Sequence, residues 1–133
     1  MNIVLVEDDA LDVMNVERAF AKGNILSKLF VARDGLEALS LLRSGRVPLR
    51  RRVVVLDLDM PRMNGFEFLS QLRADDTLAR TPVVVLTTSN DERDRLEAYR
   101  FNVAGYMLKT VRFSGFVELL DTMHRYWSQM EHP

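Results

Sequence analysis

The sequence predicts an α/β fold in which five strands and five helices alternate, a (βα)5 chain around a doubly wound parallel sheet. Short β-branched and apolar runs recur with starts roughly 20–30 residues apart, which is the length of one strand plus a crossover helix. Within each run the apolar residues are continuous, which is typical of strands that are covered on both faces. We therefore expect helices on both faces and functional groups at the carboxyl ends of the strands.

The five apolar runs are expected to be the strands, because β-branched residues pack well on a pleated, buried surface. They are residues 3–6, 29–31, 53–56, 83–86 and 104–108. The last of these, "AGYML", is the weakest of the five, whereas "VVVL" occurs twice without change.

Helical apolar spacing fills the segments between the runs. Asp34, with a glutamate three residues later, resembles a capping box, and "SNDE" has the spacing to open a fourth helix. The helices expected are 10–22, one after Asp34, one through Phe66, one opened by 89–92 and a long last one at about 113–130.

Composition excludes several classes of function. The chain has 133 residues with 18 basic and 19 acidic side chains, so its net charge of −1 favours neither nucleic acid nor an anionic membrane as partner. The absence of cysteine excludes disulfides, zinc–thiolate sites and cysteine nucleophiles. Apolar runs are too short to span a membrane, and the start lacks signal-peptide features. We expect a single cytoplasmic domain over residues 1–133.

Charged and hydroxyl side chains follow four of the five predicted strands. Because parallel strands end at the same edge of a sheet, these side chains are expected to converge. In chain order the groups are Glu7, Asp8 and Asp9, then Asp57 and Asp59, then Thr87, Thr88 and Ser89, and finally Lys109.

Clustered carboxylates at one edge repel each other unless they bind protons or a cation. Mg²⁺ prefers oxygen ligands and retains waters that a phosphate can displace. Lys109 and Thr87 can donate to phosphoryl oxygens. Any one such residue is usually only a solvated loop residue, but the combined set suits phosphoryl transfer onto an aspartate.

The sequence resembles a receiver domain of two-component signalling over essentially its whole length. The residues that carry the resemblance are Glu7 and Asp8 after the first strand, Asp57 followed by "DMPRMNG", Thr87 in "VVVLTTS" and Lys109 in "GYMLK". The resemblance implies a flavodoxin-like fold with the strand order 2-1-3-4-5.

The resemblance also implies the roles of the site residues. Asp57 would accept a phosphoryl group from a phosphohistidine of a partner histidine kinase. Glu7, Asp8, Asp57 and the backbone carbonyl of Asp59 would hold Mg²⁺, and Lys109 would pair first with Asp57 and then with the phosphate. The protein would catalyse only its own phosphorylation and dephosphorylation.

Thr87 and Tyr106 match the family's switch residues. On phosphorylation Thr87 would move to a phosphate oxygen and Tyr106 would turn inward. Tyr106 also fits a plain half-buried strand aromatic, so partner binding that is unchanged in Tyr106→Ala would refute the switch role.

Three positions depart from the family pattern. Lys109 is followed by Thr110 where a cis proline is usual, and a cis Lys-Thr bond would cost about 2.5–4 kcal/mol. Asn64 replaces a common aspartate, and Asn-Gly also turns well. Asp59 lies two residues after the acceptor, so we expect its side chain to alter the dephosphorylation rate.

Output is expected through protein contact, because the chain has no room for a second domain. The last helix carries more apolar and aromatic residues than the sheet needs, so Tyr126, Trp127 and Met130 are candidates for a homodimer interface. The sequence is similar to the small response regulators of bacterial and cyanobacterial phytochrome kinases. The arginine-rich segment 43–52 fits a solvated loop, and a docking patch is the alternative.

Two other functions remain open from the sequence. A haloacid-dehalogenase-like phosphatase would use Asp57-x-Asp59 as nucleophile and general acid, although that fold normally places this motif on its first strand. A constitutive pseudo-receiver would keep the fold as an interaction module without phosphorylation.

Overall fold

Five parallel strands form one sheet with the order β2-β1-β3-β4-β5. The computed structural model describes residues 2–22, 28–60, 62–109, 118, 121–126 and 129. The strands are β1 (Asn2–Val6), β2 (Lys28–Ala32), β3 (Arg52–Leu56), β4 (Val83–Thr87) and β5 (Gly105–Leu108). The predicted fold class and strand order are therefore confirmed, and each predicted strand lies within one residue of its observed bounds.

Helices connect successive strands. They are α1 (Ala10–Lys22), α2 (Gly35–Arg43), α3 (Gly65–Ala74) and α4 (Glu92–Arg100). Residues 118 and 121–126 are also helical, and they lie inside the last helix predicted at 113–130. The remainder of that predicted helix lies outside the described residues.

The sheet separates two apolar cores, because successive side chains of a strand point to opposite faces. On β3, Val53 and Val55 belong to the core that includes Val16 and Phe20 of α1. The intervening Val54 joins the other core, which α2 and α3 cover. All five residues of β3 and of β4 are buried, which explains their unbroken apolar runs.

The helix caps differ in detail from the sequence predictions. Asp34 caps α2 as expected, because its side chain accepts the backbone N–H of Glu37. The predicted opening of α4 at Ser89 is wrong by two residues, since Asp91 is the cap and accepts the backbone N–H of Arg93 at 2.8 Å. An aspartate offers a charged acceptor to the free N–H groups and the positive end of the helix dipole.

None of the helices in the described ranges combines the length and the apolar character that a membrane-spanning helix requires.

Candidate functional site

Three carboxylates meet at the carboxyl edge of the sheet. Glu7 follows β1, and its backbone N–H donates to the carbonyl of Ala32 at 2.9 Å. Asp57 follows β3, and its N–H donates to the carbonyl of Val6 at 3.0 Å. One carboxylate oxygen from each of Glu7, Asp8 and Asp57 lies within 4.8 Å of the other two. The strand ladder continues past the strand ends, so it holds the carboxylates in place.

These carboxylates suit a hard divalent cation. Glu7 and Asp57 are 2% and 7% exposed, whereas Asp8 is exposed. Oxygen ligands alone, with one open side, match the preference of Mg²⁺ or Mn²⁺ and leave room for waters. The described chain therefore offers a fitting donor set on the side chains of three of the predicted ligands. The backbone carbonyl of Asp59, the fourth predicted ligand, stays a prediction.

Lys109 lies at the centre of the acidic edge. Its backbone N–H donates to the carbonyl of Thr87 at 2.9 Å, which ties the end of β5 to β4. The ammonium group donates to Glu7 and, at 3.0 Å, to Asp12, and lies 3.7 Å from an oxygen of Asp57. The predicted pairing of Lys109 with Asp57 is present, but its shorter contacts are to the two other carboxylates.

Burial has the largest effect on the pKa values of the site's carboxylates. Burial raises the pKa of Glu7 from 4.5 to about 7, against the lowering effect of the hydrogen bond from Lys109. Burial likewise raises the pKa of Asp57, although the charge of Lys109 opposes it. Burial alone would lower the pKa of Lys109, but its bonds to Glu7 and Asp12 raise that pKa instead. In the metal-free protein the single ammonium group of Lys109 therefore does not offset the cost of burying these carboxylates.

The two predicted switch residues, Thr87 at the end of β4 and Tyr106 on β5, both contact Ser89 in the loop after β4. Thr87 is completely buried, and its hydroxyl accepts the backbone N–H of Ser89 at 3.3 Å. The Tyr106 hydroxyl donates to the backbone carbonyl of the same serine at 2.9 Å. Tyr106 is half-buried and packs against the α2–α3 core. One serine thus contacts both residues, while the switch role itself stays a prediction.

The loop after β3 brings Asp59 beside the acceptor without burying it. Its backbone N–H donates to an oxygen of Asp57 at 3.4 Å, while its side chain is exposed. Gly65 closes this loop, because a Cβ there would lie 2.7 Å from the Cα of Leu58 and 2.9 Å from the carbonyl oxygen of Asp57. Asn64 and Glu67 form a reciprocal capping box that starts α3. The turn predicted at Asn-Gly is therefore also a helix start.

Two contributions were missed by reasoning from the sequence. Asp12 bonds Lys109 from the first turn of α1, and only its position one turn into a helix that starts at this edge could have indicated it. Asp34, besides its capping role, pairs with Arg62, whose backbone has φ of 62°. This ion pair ties the loop after β3 to the start of α2.

Several predictions fall on residues outside the described ranges. The geometry of the Lys109–Thr110 bond is one of them, and the interface candidates Trp127 and Met130 are others. Tyr126, the remaining interface candidate, is helical and 58% exposed.

Comparisons with known proteins identify a family that covers most of the chain. The response regulator receiver domain family matches residues 3–121. The probable methanogenesis regulatory protein FilR2 of Methanothrix harundinacea is 36% identical over 127 residues, covering 94% of this chain and 82% of that protein. Response regulator Rcp1 of Synechocystis is 32% identical over 129 residues, covering 94% and 87% respectively. Neither the family match nor the exposed side chain of Asp59 favours the phosphatase alternative.

Solved structures give the same result. The phosphorylated cyanobacterial phytochrome response regulator RcpA superposes with a TM-score of 0.85 at 32% identity, covering 99% of this chain and 97% of that one. The Mn²⁺-bound form of Rcp1 superposes with a TM-score of 0.84 at 30% identity, covering 99% and 98%. Fold, acidic edge and sequence match coincide along most of the molecule, and the chain therefore belongs to the response regulator receiver domain family.

Proposed function

We propose that Asp57 accepts a phosphoryl group from a phosphohistidine of a partner histidine kinase, in a reaction that requires Mg²⁺. The observation that carries the proposal is the meeting of Glu7, Asp8 and Asp57 with the ammonium group of Lys109 at one sheet edge. A carboxylate nucleophile, a divalent-cation site and a fixed positive charge are the parts that phosphoryl transfer to aspartate needs.

In the transfer, an oxygen of Asp57 forms a bond to phosphorus while the bond from phosphorus to the histidine nitrogen breaks. The histidine leaves with the electron pair of that bond. Bound Mg²⁺, held by Glu7, Asp8 and Asp57, would neutralise charge on the phosphoryl oxygens. Lys109 already lies 3.7 Å from the acceptor, so a small shift away from Glu7 lets it donate to a phosphoryl oxygen.

Labelling with acetyl phosphate and Mg²⁺ tests this assignment through the intact mass of the protein. The wild type should gain one phosphoryl group, and Asp57→Asn should gain none. Asp59→Asn is the matched control, because it removes the neighbouring exposed carboxylate and should keep the labelling. Labelling that persists in Asp57→Asn, or that is unchanged when EDTA replaces Mg²⁺, would contradict the proposal.

We further infer that Asp59 affects the lifetime of the phosphoryl group and that Thr87 and Tyr106 transmit its presence. Thr87 and Tyr106 both contact Ser89, so a movement of the Thr87 hydroxyl removes one bond from the loop that Tyr106 holds. Asp59→Asn should change the lifetime, and Tyr106→Ala should remove the dependence of partner binding on phosphorylation. An unchanged lifetime or an unchanged dependence would refute the respective role.

The kinase partner proposed is of the phytochrome type. The support is the similarity to response regulator Rcp1 and to RcpA, and RcpA is a cyanobacterial phytochrome response regulator. Phosphoryl transfer from a purified phytochrome kinase, compared with a chemoreceptor-coupled histidine kinase, tests this choice. Equal rates from both kinases, or a faster rate from the second, would refute it.

We also propose that the chain is a single cytoplasmic receiver domain that forms a homodimer through its C-terminal helix. The exposed ring of Tyr126 supports this placement. Tyr126→Ser should lower the mass measured by light scattering, whereas Tyr99→Ser, which removes an exposed ring from α4, should leave it unchanged. A monomeric wild type would refute the dimer.

A further inference from the structure

A second charged feature lies at the opposite end of the sheet from Asp57. A cavity of about 460 Å³ opens there, which we call the basal cavity; Arg52 and the apolar residues Leu42, Val47, Pro48, Leu49 and Leu78 line it. Arg52 is the first residue of β3 and Asp57 follows its last residue, so about 17 Å of β3 separates them. The basal cavity is thus distinct from the acidic edge.

Arg52 is buried without a complete set of partners. It is 6% exposed, and its Nη1 atom is buried with no hydrogen-bond partner among the described residues. Its Nη2 atom donates to the Thr81 hydroxyl at 3.5 Å. Because side chains alternate along a strand, Arg52 lies on the face of Val54, toward α2 and α3. A buried guanidinium with a free donor is costly unless an acceptor meets it.

The surroundings of the basal cavity are positively charged. Arg46, Arg50 and Arg51 are exposed, and none of them pairs with a carboxylate within the part of the chain that the structure describes. Arg43 is partly neutralised by Asp75 at 3.1 Å. The net field at the basal cavity therefore favours an anionic partner.

The basal cavity also has an exposed apolar residue, Leu49, in its lining. Leu49 is 73% exposed, the largest exposure among the large apolar side chains of the described residues. The loop that carries it is held at both ends, since Ser44 bonds the last turn of α2 and Asn2 bonds the carbonyl groups of Arg50 and Arg51. Leu49 therefore offers an exposed apolar side chain next in sequence to the exposed Arg50 and Arg51, on a loop whose ends are fixed.

We propose that the basal cavity docks an acidic peptide segment of a partner protein, one that carries an apolar side chain beside its carboxylates. The apolar side chain packs on Leu49 and the cavity wall, and a carboxylate meets Arg52 where that side chain lines the cavity. The surrounding arginines attract the segment and orient it. This contact does not depend on phosphorylation, because it lies at the far end of β3.

Fluorescence anisotropy with a labelled hexapeptide of alternating glutamate and leucine tests the proposal. Two comparison peptides replace glutamate with glutamine or leucine with serine. We expect saturable binding of the first peptide and at least tenfold weaker binding of both others. Equal affinity for the glutamine peptide, or no saturable binding of the first, would overturn the proposal.

Protein variants locate the contact. Arg52→Met should weaken binding at least tenfold, and Leu49→Ser about fivefold, while the exposed α4 variant Arg95→Ser stays within twofold of the wild type. If Arg52→Met proves unfolded by circular dichroism, Leu49→Ser and Arg46→Ser decide the outcome. Binding unchanged in those surface variants refutes the site. Displacement of the peptide by millimolar inorganic phosphate would assign the basal cavity to a small anion instead and would also overturn the proposal.

Discussion

Glu7→Gln should stabilise the metal-free protein at slightly alkaline pH, although it removes a charge that Lys109 contacts. Glu7 is 2% exposed, and burial raises its pKa from 4.5 to about 7. Two effects compete in the wild type, because burial disfavours the ionised carboxylate while the ion pair with Lys109 favours it. The raised pKa means that burial, aided by repulsion from Asp57, outweighs the ion pair.

The sign and the size follow from this pKa. An acid whose pKa is raised on folding holds its proton more tightly in the folded protein, so the free energy of unfolding falls as pH rises from about 4.5 to about 7. Each pKa unit corresponds to about 1.4 kcal/mol, so the whole decrease amounts to at most about 3.5 kcal/mol. Glutamine resembles the protonated side chain and does not ionise. The variant should match the wild type in acid and exceed it above pH 7.

Urea unfolding in EDTA, at about pH 5 and at about pH 8, measures the difference directly. Glu17→Gln is the matched control, since this glutamate is exposed on α1 and its replacement should not change the pH dependence. Mg²⁺ should stabilise the wild type more than Glu7→Gln, because the variant lacks one of the proposed carboxylate ligands.

A Glu7→Gln variant that is less stable than the wild type at about pH 8 in EDTA would refute this reasoning. That result would show that the ion pair with Lys109 contributes more than burial costs. A wild-type stability that rises between the two pH values relative to the variant would lead to the same conclusion.

Three further predictions concern the framework. Gly65→Ala should destabilise the protein by about 1–3 kcal/mol in urea unfolding and slow acetyl-phosphate labelling, because its Cβ would lie 2.7 Å from the Cα of Leu58; an unchanged midpoint would contradict the close approach. Arg73→Met should cost about 2–4 kcal/mol by the same measurement, because Arg73 donates to four backbone carbonyl oxygens; a loss below about 1 kcal/mol would show that water replaces it. Burial alone would raise the pKa of Asp34, but the bonds from Glu37 and Arg62 lower it. The ionised Asp34 therefore stabilises the fold above pH 3.8, and this stabilisation is lost as the pH falls further. In urea unfolding, Asp34→Asn should reduce the fall of the free energy of unfolding in acid, while the asparagine still caps α2. A fall as steep as in the wild type would contradict this.

The strands were predictable because they are buried on both faces. The sequences of such strands are continuous apolar runs, and β3 and β4 show this most clearly. The strand ends were predictable for the same reason, since a charged residue directly after such a run must lie at the edge. Glu7, Asp57 and Lys109 were found in this way, and the structure brings them together.

The helix starts were less predictable. The capping rule applies equally to Ser89 and Asp91, because both can accept a backbone N–H. In the folded chain, the Ser89 hydroxyl bonds Asp94 at 2.5 Å and its carbonyl accepts from Tyr106, so Asp91 caps α4. The Ser89 hydroxyl therefore bonds a side chain of α4 instead of a backbone N–H at its start.

The order of residues along the chain determined the sheet, its parallel direction and the edge where the carboxylates meet, because burial and right-handed crossovers leave few alternatives. Only the tertiary structure decided which carboxylates Lys109 contacts most closely and that Arg52 is buried with a donor atom that no described residue accepts from. Those outcomes depend on distances of a few ångströms between elements far apart in the chain. Apolar periodicity carries no information at that scale.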